Sequence, residues 1–212
     1  MDGSPRITIS VPCFGRPERT RRIIDNILNQ NINNWEAFVI GDGCPHFQKM
    51  VDSGEVETFI KRAEKNGNKL NCYNLPKNYG FWGYQIATMA FQQATGNFLI
   101  FAGNDDTISN DHFEHYLSEI ENTNLDLVYY NSFILPQNKI RNSILKLGGV
   151  GHSEIIIRTS LLRGMSQKPI YAADWEIINE IQSKTNKIKK ADSKKMTYTV
   201  TRIGNLTSDT ID

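Results

Sequence analysis

Phe98-Leu99-Ile100-Phe101-Ala102, running directly into Gly103-Asn104-Asp105-Asp106, is the stretch whose reading decides the fold. Five consecutive apolar residues leave no polar face for water, so they read as a strand buried on both sides and ended by turn-forming residues. A strand covered on both faces belongs to a parallel sheet flanked by helices. Working outward, the strand-then-helix unit recurs. Ile7-Thr8-Ile9-Ser10-Val11 is β-branched and closes at Pro12, and Pro17-Glu18 opens a helical pattern through Ile23, Ile24, Ile27 and Leu28. Ala37-Phe38-Val39-Ile40 is a second apolar run, ending in Gly41-Asp42-Gly43 and followed by one helical pattern through Met50, Val51, Val56, Phe59 and Ile60. Leu70 to Leu75 reads as a weaker strand and Ile86 to Ala94 as a helix. Asp111 to Ile120 reads as a helix opening with the capping pair Asp111 and Glu114.

This alternation predicts an α/β fold: a Rossmann-like, mostly parallel central sheet with helices on both faces. The second half alternates less cleanly. Leu127 to Tyr130 and Glu154 to Ile157 read as strands, Asp174 to Gln182 as a helix, and Met196 to Ile203 as a late strand. Pro136 to Gly151, rich in Asn, Lys and Gly, reads as a mobile loop or a flap on the acceptor side.

With 212 residues, 39% of them apolar and 22% charged, the chain has the profile of one globular domain with a full core. Lys and Arg number 24 against 23 Asp and Glu, so a net charge of +1 gives no electrostatic footprint for nucleic acid or an anionic membrane. Cys13, Cys44 and Cys72 show no CxxC spacing and read as thiols of a reducing compartment. No apolar run is long enough to span a bilayer, and Met1 to Arg6 has no signal-peptide pattern, so a cytoplasmic location is expected. The polar run from Ile203 to Asp212 reads as the edge of one domain cut from a longer protein.

In open α/β sheets, ligands bind beyond the carboxyl ends of the strands. Three such loops carry candidates: Pro12, Phe14 and Arg16 after the first strand, Asp42 on an expected exposed turn after the second, and Asn104, Asp105 and Asp106 after the buried one. Adjacent carboxylates at a strand end have two readings. They can be turn formers that cap the next helix, or oxygen ligands for a hard divalent cation that shares its remaining positions with substrate phosphates. GxGxxG and GxxxxGK[ST] are both absent, so redox dinucleotide binding and P-loop chemistry lack their usual signals.

Four blocks together resemble, in order and spacing, the motifs of GT-A glycosyltransferases of the family 2 type. They are Ile9 to Pro17 (ISVPCFGRP), Phe38 to Gly43 (FVIGDG), Asn78-Tyr79-Gly80, and Ala94 to Asp106 (ATGNFLIFAGNDD). The likeness continues more loosely through Glu154 to Ser160 and Ala173-Asp174-Trp175-Glu176. The resemblance implies a GT-A fold over residues 1–212, with residues 1–106 holding a nucleotide-diphosphate sugar, UDP-linked by family habit, and residues 107–212 the acceptor, a glycan or glycoprotein. It further implies that Pro12 and Phe14 line the base pocket, that Asp42 bonds base or ribose, and that Arg16, Asn78 and Asn104 complete the donor site. Asp105 matches the last acid of the metal-binding DxD motif, with Asp106 sharing Mn²⁺ or Mg²⁺, and Asp174 matches the general base of the inverting enzymes. Gly103 stands where the motif's first Asp is usual, and Ala173 where a Glu usually precedes the base. These two departures keep open a catalytically silent sugar-nucleotide-binding module, and the Rossmann-like sheet with paired acids and a metal keeps open a nucleotidyltransferase.

Other residues divide between bland and functional readings. His112 and His115, with Glu114 and Glu119 nearby, read as a solvated polar helix face rather than as ligands. His152, after Gly148-Gly149-Val150-Gly151, is a candidate for approach to the metal or diphosphate. Trp175, Trp82 and Tyr84 are either core or stacking surfaces for an acceptor sugar, and Arg202 either meets the diphosphate or faces outward.

Overall fold

A computed structural model describes residues 5–201. Seven strands form the main sheet: β1 (Ile7–Cys13), β2 (Trp35–Gly41), β3 (Lys69–Asn74), β4 (Phe98–Phe101), β6 (Leu127–Tyr129), β9 (Ile155–Arg158) and β10 (Ile188–Lys190). Their order is β10-β6-β9-β4-β1-β2-β3, and every neighbouring pair is parallel except the two made by β9. The α/β fold and mostly parallel sheet expected from the alternation are therefore present.

Side-chain alternation explains the layers. Ala37 and Val39 of β2, and Phe98 and Ile100 of β4, face one core with Ile23, Ile24 and Ile27 of α1 (Pro17–Leu28). Phe38, Ile40, Leu99 and Phe101 face a second core, with residues of α4 (Tyr84–Gln93) and α6 (Ala173–Lys184). Because both faces of these strands are buried, helices must cover the sheet from both sides. Among the buried carboxylates, Glu36 is fully enclosed and accepts hydrogen bonds from Lys69 Nζ at 2.7 Å, the Thr95 N–H at 2.7 Å and Thr8 Oγ1 at 3.0 Å. Burial alone would push its carboxyl up, but these donors hold it below the ordinary Glu value.

Five expectations need correction. The pattern through Met50 and Phe59 is two helices, α2 (Pro45–Asp52) and α3 (Glu55–Lys65), because Gly54 takes φ 76 between them. In α5 (His112–Ser118), Asp111 makes no side-chain cap; its carboxylate is taken by Ser109 Oγ at 2.5 Å and by Lys195. Pro136 to Gly151 is a loop only in part, since a short strand lies within it and residues 142–151 carry no helix or strand. Strands β7 (Ser132–Ile134) and β8 (Lys139–Arg141) pair as a hairpin in a second sheet, ordered β5-β11-β7-β8, with β5 (Thr107–Ile108) and β11 (Tyr198–Val200). Lys190 Nζ pins the following turn through Asn142 Oδ1 at 2.5 Å and the Ser143 carbonyl at 3.0 Å.

Fourth, His112 and His115 are buried, at 0% and 9% exposure, instead of forming a solvated face. Residues leading into β11 cover that side of α5: His112 Nδ1 lies 2.9 Å from Thr197 Oγ1 and its ring packs 4.2 Å from that of Tyr116. The late strand itself is shorter than expected. Arg202 and Ile203 to Asp212 lie outside the described residues. Among the described residues, no helix is long and apolar enough to cross a membrane, and the three cysteines are buried free thiols.

Burial lowers His112 to about 3, so the native state refuses a proton that the unfolded chain accepts near 6.5. Between those values the unfolded state binds more protons, so stability is complete above about pH 6.5 and falls as the pH drops. Urea denaturation at pH 7 and pH 5 is expected to show His112 contributing about 2 kcal/mol to the difference. His112→Asn, which keeps a nitrogen facing Thr197, should shrink the difference by that amount; an unchanged difference would place the proton elsewhere.

Candidate active site

Parallel strands deliver their carboxyl ends to one edge. In-register pairing sets Pro12 beside Ile40 and Cys13 beside Gly41, and the Asp42 N–H donates to the Cys13 carbonyl at 2.8 Å. The loops after β1, β2 and β4 therefore enclose one crevice of about 490 Å³, lined by Pro12, Phe14, Arg16, Asp42, Asn78, Asn104 and Asp105, with Gly103. All seven residues expected to bind a donor are brought together.

Each is held differently. Arg16 has left-handed backbone (φ 50, ψ 60) just before Pro17 opens α1; its side chain, 6% exposed, forms an ion pair with Asp105. The Asp105 carbonyl accepts from Arg22 Nη2 at 3.1 Å and from the Thr201 hydroxyl. Asn104 is buried, and its Nδ2 donates to Thr20 Oγ1 on α1 at 3.0 Å. Phe14 stays 38% exposed, which leaves a ring face for a flat ligand.

Asp42 is not on an exposed turn. It is 3% exposed, and its two carboxylate oxygens accept the Tyr79 N–H at 2.9 Å and the Gly80 N–H at 3.0 Å. The residue thus fastens the loop that carries Asn78, and the remaining lone pairs of its oxygens are available to a ligand.

Asp106 faces inward. Its Oδ1 accepts the Thr201 N–H at 3.0 Å and its Oδ2 the Tyr198 hydroxyl, and burial pushes its carboxyl up to about 6 against those two hydrogen bonds. It is not part of the crevice wall, so the expectation that it shares a metal with Asp105 has no geometric support. A Cβ on Gly103 would lie 2.9 Å from Asp105 Oδ1 and 2.9 Å from Asp106 Oδ2, so the motif's usual first Asp has no room here unless those carboxylates shift. Among the described residues no group of three His, Cys, Asp or Glu could hold a metal ion. What remains of the motif, Asp105 on the crevice wall, would leave Mg²⁺ or Mn²⁺ to complete its shell with water and substrate phosphate.

Beside the crevice lies a second cavity of about 380 Å³, and Phe81 and Trp82 line both. Asp174 lines the second. The N-cap of α6 is Ala172 (φ 59), so Asp174 lies one residue inside the helix; its Oδ1 accepts the Trp175 N–H at 2.8 Å. Among the described residues no Lys or Arg pairs with it. His152, in the same cavity, stacks 4.6 Å from Phe101 and not on the crevice that lodges Asp105. Burial lowers its imidazole to about 4, while Asp174 acts in the opposite sense, so at neutral pH the ring is uncharged. Glu176 is bound to Lys168 at 2.9 Å and lines neither cavity, and Trp175 packs on the second core. The shared wall of Phe81 and Trp82 was only half visible in the sequence; the flanking Gly80 and Gly83 were the available signal.

Asp42→Ala is expected to lower stability by about 1.5–3 kcal/mol, the value of hydrogen bonds to a charged group, and to speed hydrogen exchange at the Tyr79 and Gly80 amides. Asp42→Asn should recover part of the loss. Urea denaturation with amide exchange by NMR checks both; unchanged exchange at these amides would show that Asp42 does not hold the loop.

Comparison with known proteins identifies the family and the fold. The glycosyl transferase family 2 profile matches residues 8–158. An Escherichia coli relative, the UDP-Glc:alpha-D-GlcNAc-diphosphoundecaprenol beta-1,3-glucosyltransferase WfgD, is 23% identical over 180 residues, covering 80% of this chain and 66% of its own length. Staphylococcus aureus TarS (residues 1–349) in complex with UDP superposes with a TM-score of 0.74 at 17% identity, over 92% of this chain and 60% of TarS. Mannosyltransferase PcManGT from Pyrobaculum calidifontis, in complex with GDP-Man and Mn²⁺, matches with a TM-score of 0.67 at 14% identity, over 89% of this chain and 55% of that one. The chain thus spans about two thirds or less of the relatives it matches. Its fold is that of the GT-A glycosyltransferases, and the match over residues 8–158 makes the chain a member of glycosyl transferase family 2.

Proposed function

We propose that this chain is an inverting glycosyltransferase domain that moves a sugar from a UDP-linked donor to a hydroxyl of a glycan or glycoprotein. The carrying observation is the pairing of two cavities: seven candidate donor residues in one, and in the next, across Phe81 and Trp82, a carboxylate with no cationic partner among the described residues. TarS bound to UDP and to UDP-GlcNAc, and WfgD named for UDP-Glc, support a uridine donor. Residues 1–106 supply the donor crevice and residues 107–212 the acceptor side of a single domain working in the cytoplasm.

Phe14 packs the base, Asp42 bonds base or ribose with its free lone pairs, and Asn78 and Asn104 meet the ribose and sugar. Arg16 brings positive charge to the diphosphate end, where negative charge develops as the sugar departs. Asp105 would hold Mn²⁺ or Mg²⁺, which when bound supplies neutralising charge to the leaving diphosphate. Asp174 takes the proton of the acceptor hydroxyl as that oxygen attacks the anomeric carbon from the face opposite the leaving group. One displacement inverts the centre.

Titrating UDP by calorimetry with Mn²⁺, and then with excess chelator, is expected to show binding weakened about tenfold or more without metal, a change of about 1.4 kcal/mol. Asp105→Ala should reproduce that loss, and Asp106→Asn should leave the metal effect in place. Equal affinity with and without Mn²⁺ would remove the metal from the proposal. Separately, Asp174→Asn should keep the fold and the UDP affinity yet lower turnover by on the order of 10²–10⁴. Near-normal transfer by that variant would assign the base to another residue.

A further inference from the structure

Gly80, Phe81, Trp82 and Gly83 take φ values of 69, 46, 53 and 78, four left-handed residues in a row. Glycine tolerates this; bulky aromatics are strained there and persist only where the surroundings dictate the conformation. The surroundings do so. Asp42 holds the N–H groups of Tyr79 and Gly80, and a Cβ on Gly83 would lie 2.2 Å from the Pro12 Cβ, so that end of the turn is pressed onto β1. The result opposes the hydrophobic effect: Phe81 and Trp82 stand 54% and 55% exposed. Tyr171, 80% exposed, meets Trp82 edge to face at 6.2 Å and immediately precedes the left-handed Ala172 that starts the helix of Asp174.

Two aromatic rings are thus held out to solvent, by strained backbone, on the rim of the cavity that contains the proposed base. In the same cavity His152 Nε2 is buried and has no hydrogen-bond partner among the described residues. A buried polar atom without a partner is costly, and a ligand hydroxyl would relieve it. Rigid aromatic faces beside a few fixed polar groups suit a pyranose, which presents a flat C–H face on one side and hydroxyls around its edge.

We infer that Trp82 and Tyr171 form the platform for the acceptor's terminal sugar, a pyranose stacked on the indole with a ring hydroxyl reaching His152 Nε2 and the reacting hydroxyl aimed at Asp174. This deepens the glycosyltransferase reading and rests on it. Trp82 is here a positioning residue that selects carbohydrate acceptors.

The test uses the full chain, saturated with UDP, on an array of oligosaccharides ending in pyranoses, with UDP affinity measured in parallel by calorimetry. Wild type should retain a subset of the glycans. Tyr171 lines only the second cavity, so Tyr171→Ala should bind that subset at least tenfold more weakly while keeping UDP affinity within twofold, and Tyr171→Phe should restore most of the glycan binding. Trp82→Ala should weaken glycan binding in the same sense. The inference is overturned if Tyr171→Ala binds the glycans as wild type does, if it loses UDP and glycan together, or if UDP-saturated wild type retains no glycan. Failure of wild type to bind UDP would instead defeat the glycosyltransferase reading beneath it.

Discussion

The ion pair between Arg16 and Asp105 ties the loop after β1 to the loop after β4, and the carboxyl edge of the sheet is organised around it. Arg16 is almost fully enclosed, so its charge needs compensation inside the protein, and Asp105 is a group that supplies it. The pair explains several neighbouring choices. It places a cation in a crevice whose chain carries a net charge of only +1, so anion binding must come from local charge and not from the field of the whole protein. It also means that Asp105 enters any encounter with a metal and a diphosphate already neutralised, with arginine and incoming cation competing for the same oxygens.

Asp42 plays a matching part on the other wall. Its position at the end of β2 looks like a ligand site, yet its first task is to fasten the turn that projects Phe81 and Trp82. Donor crevice and second cavity are therefore mechanically joined: the residue that lines one fixes the aromatic wall of the other. Strain in the left-handed turn is sustained by a charge-assisted pair of hydrogen bonds and by the contact of Gly83 with Pro12.

What could be read from the sequence was local. Phe98 to Ala102 declares itself as a doubly buried strand, and Ile23, Ile24 and Ile27 declare the inner face of α1, because burial there follows from neighbours within a few positions. The convergence of Pro12, Asp42 and Asp105 was readable too, since parallel strands force it. Apart from the local break at Gly54, the errors fall where the deciding partner is distant. His112 is buried because Thr197 lies against it, and Asp106 turns inward because Tyr198 and Thr201 receive it. No periodicity around residue 106 or 112 contains that information. The hairpin of β7 and β8 was missed for a related reason: its strands are three residues each and are stabilised by pairing with β11, far along the chain.

Those same long-range bonds set an order of events during synthesis. The loop that carries Asp105 and Asp106 emerges from the ribosome well before the groups that clamp it, Tyr198 and Thr201, which follow more than ninety residues later. Long-range closures of this kind are late and slow in folding, because the intervening chain must be ordered first. The strands β1 to β4 can pair early, but one wall of the crevice stays without its clamp until that later segment arrives, so the crevice is complete only once the chain has been made through Thr201.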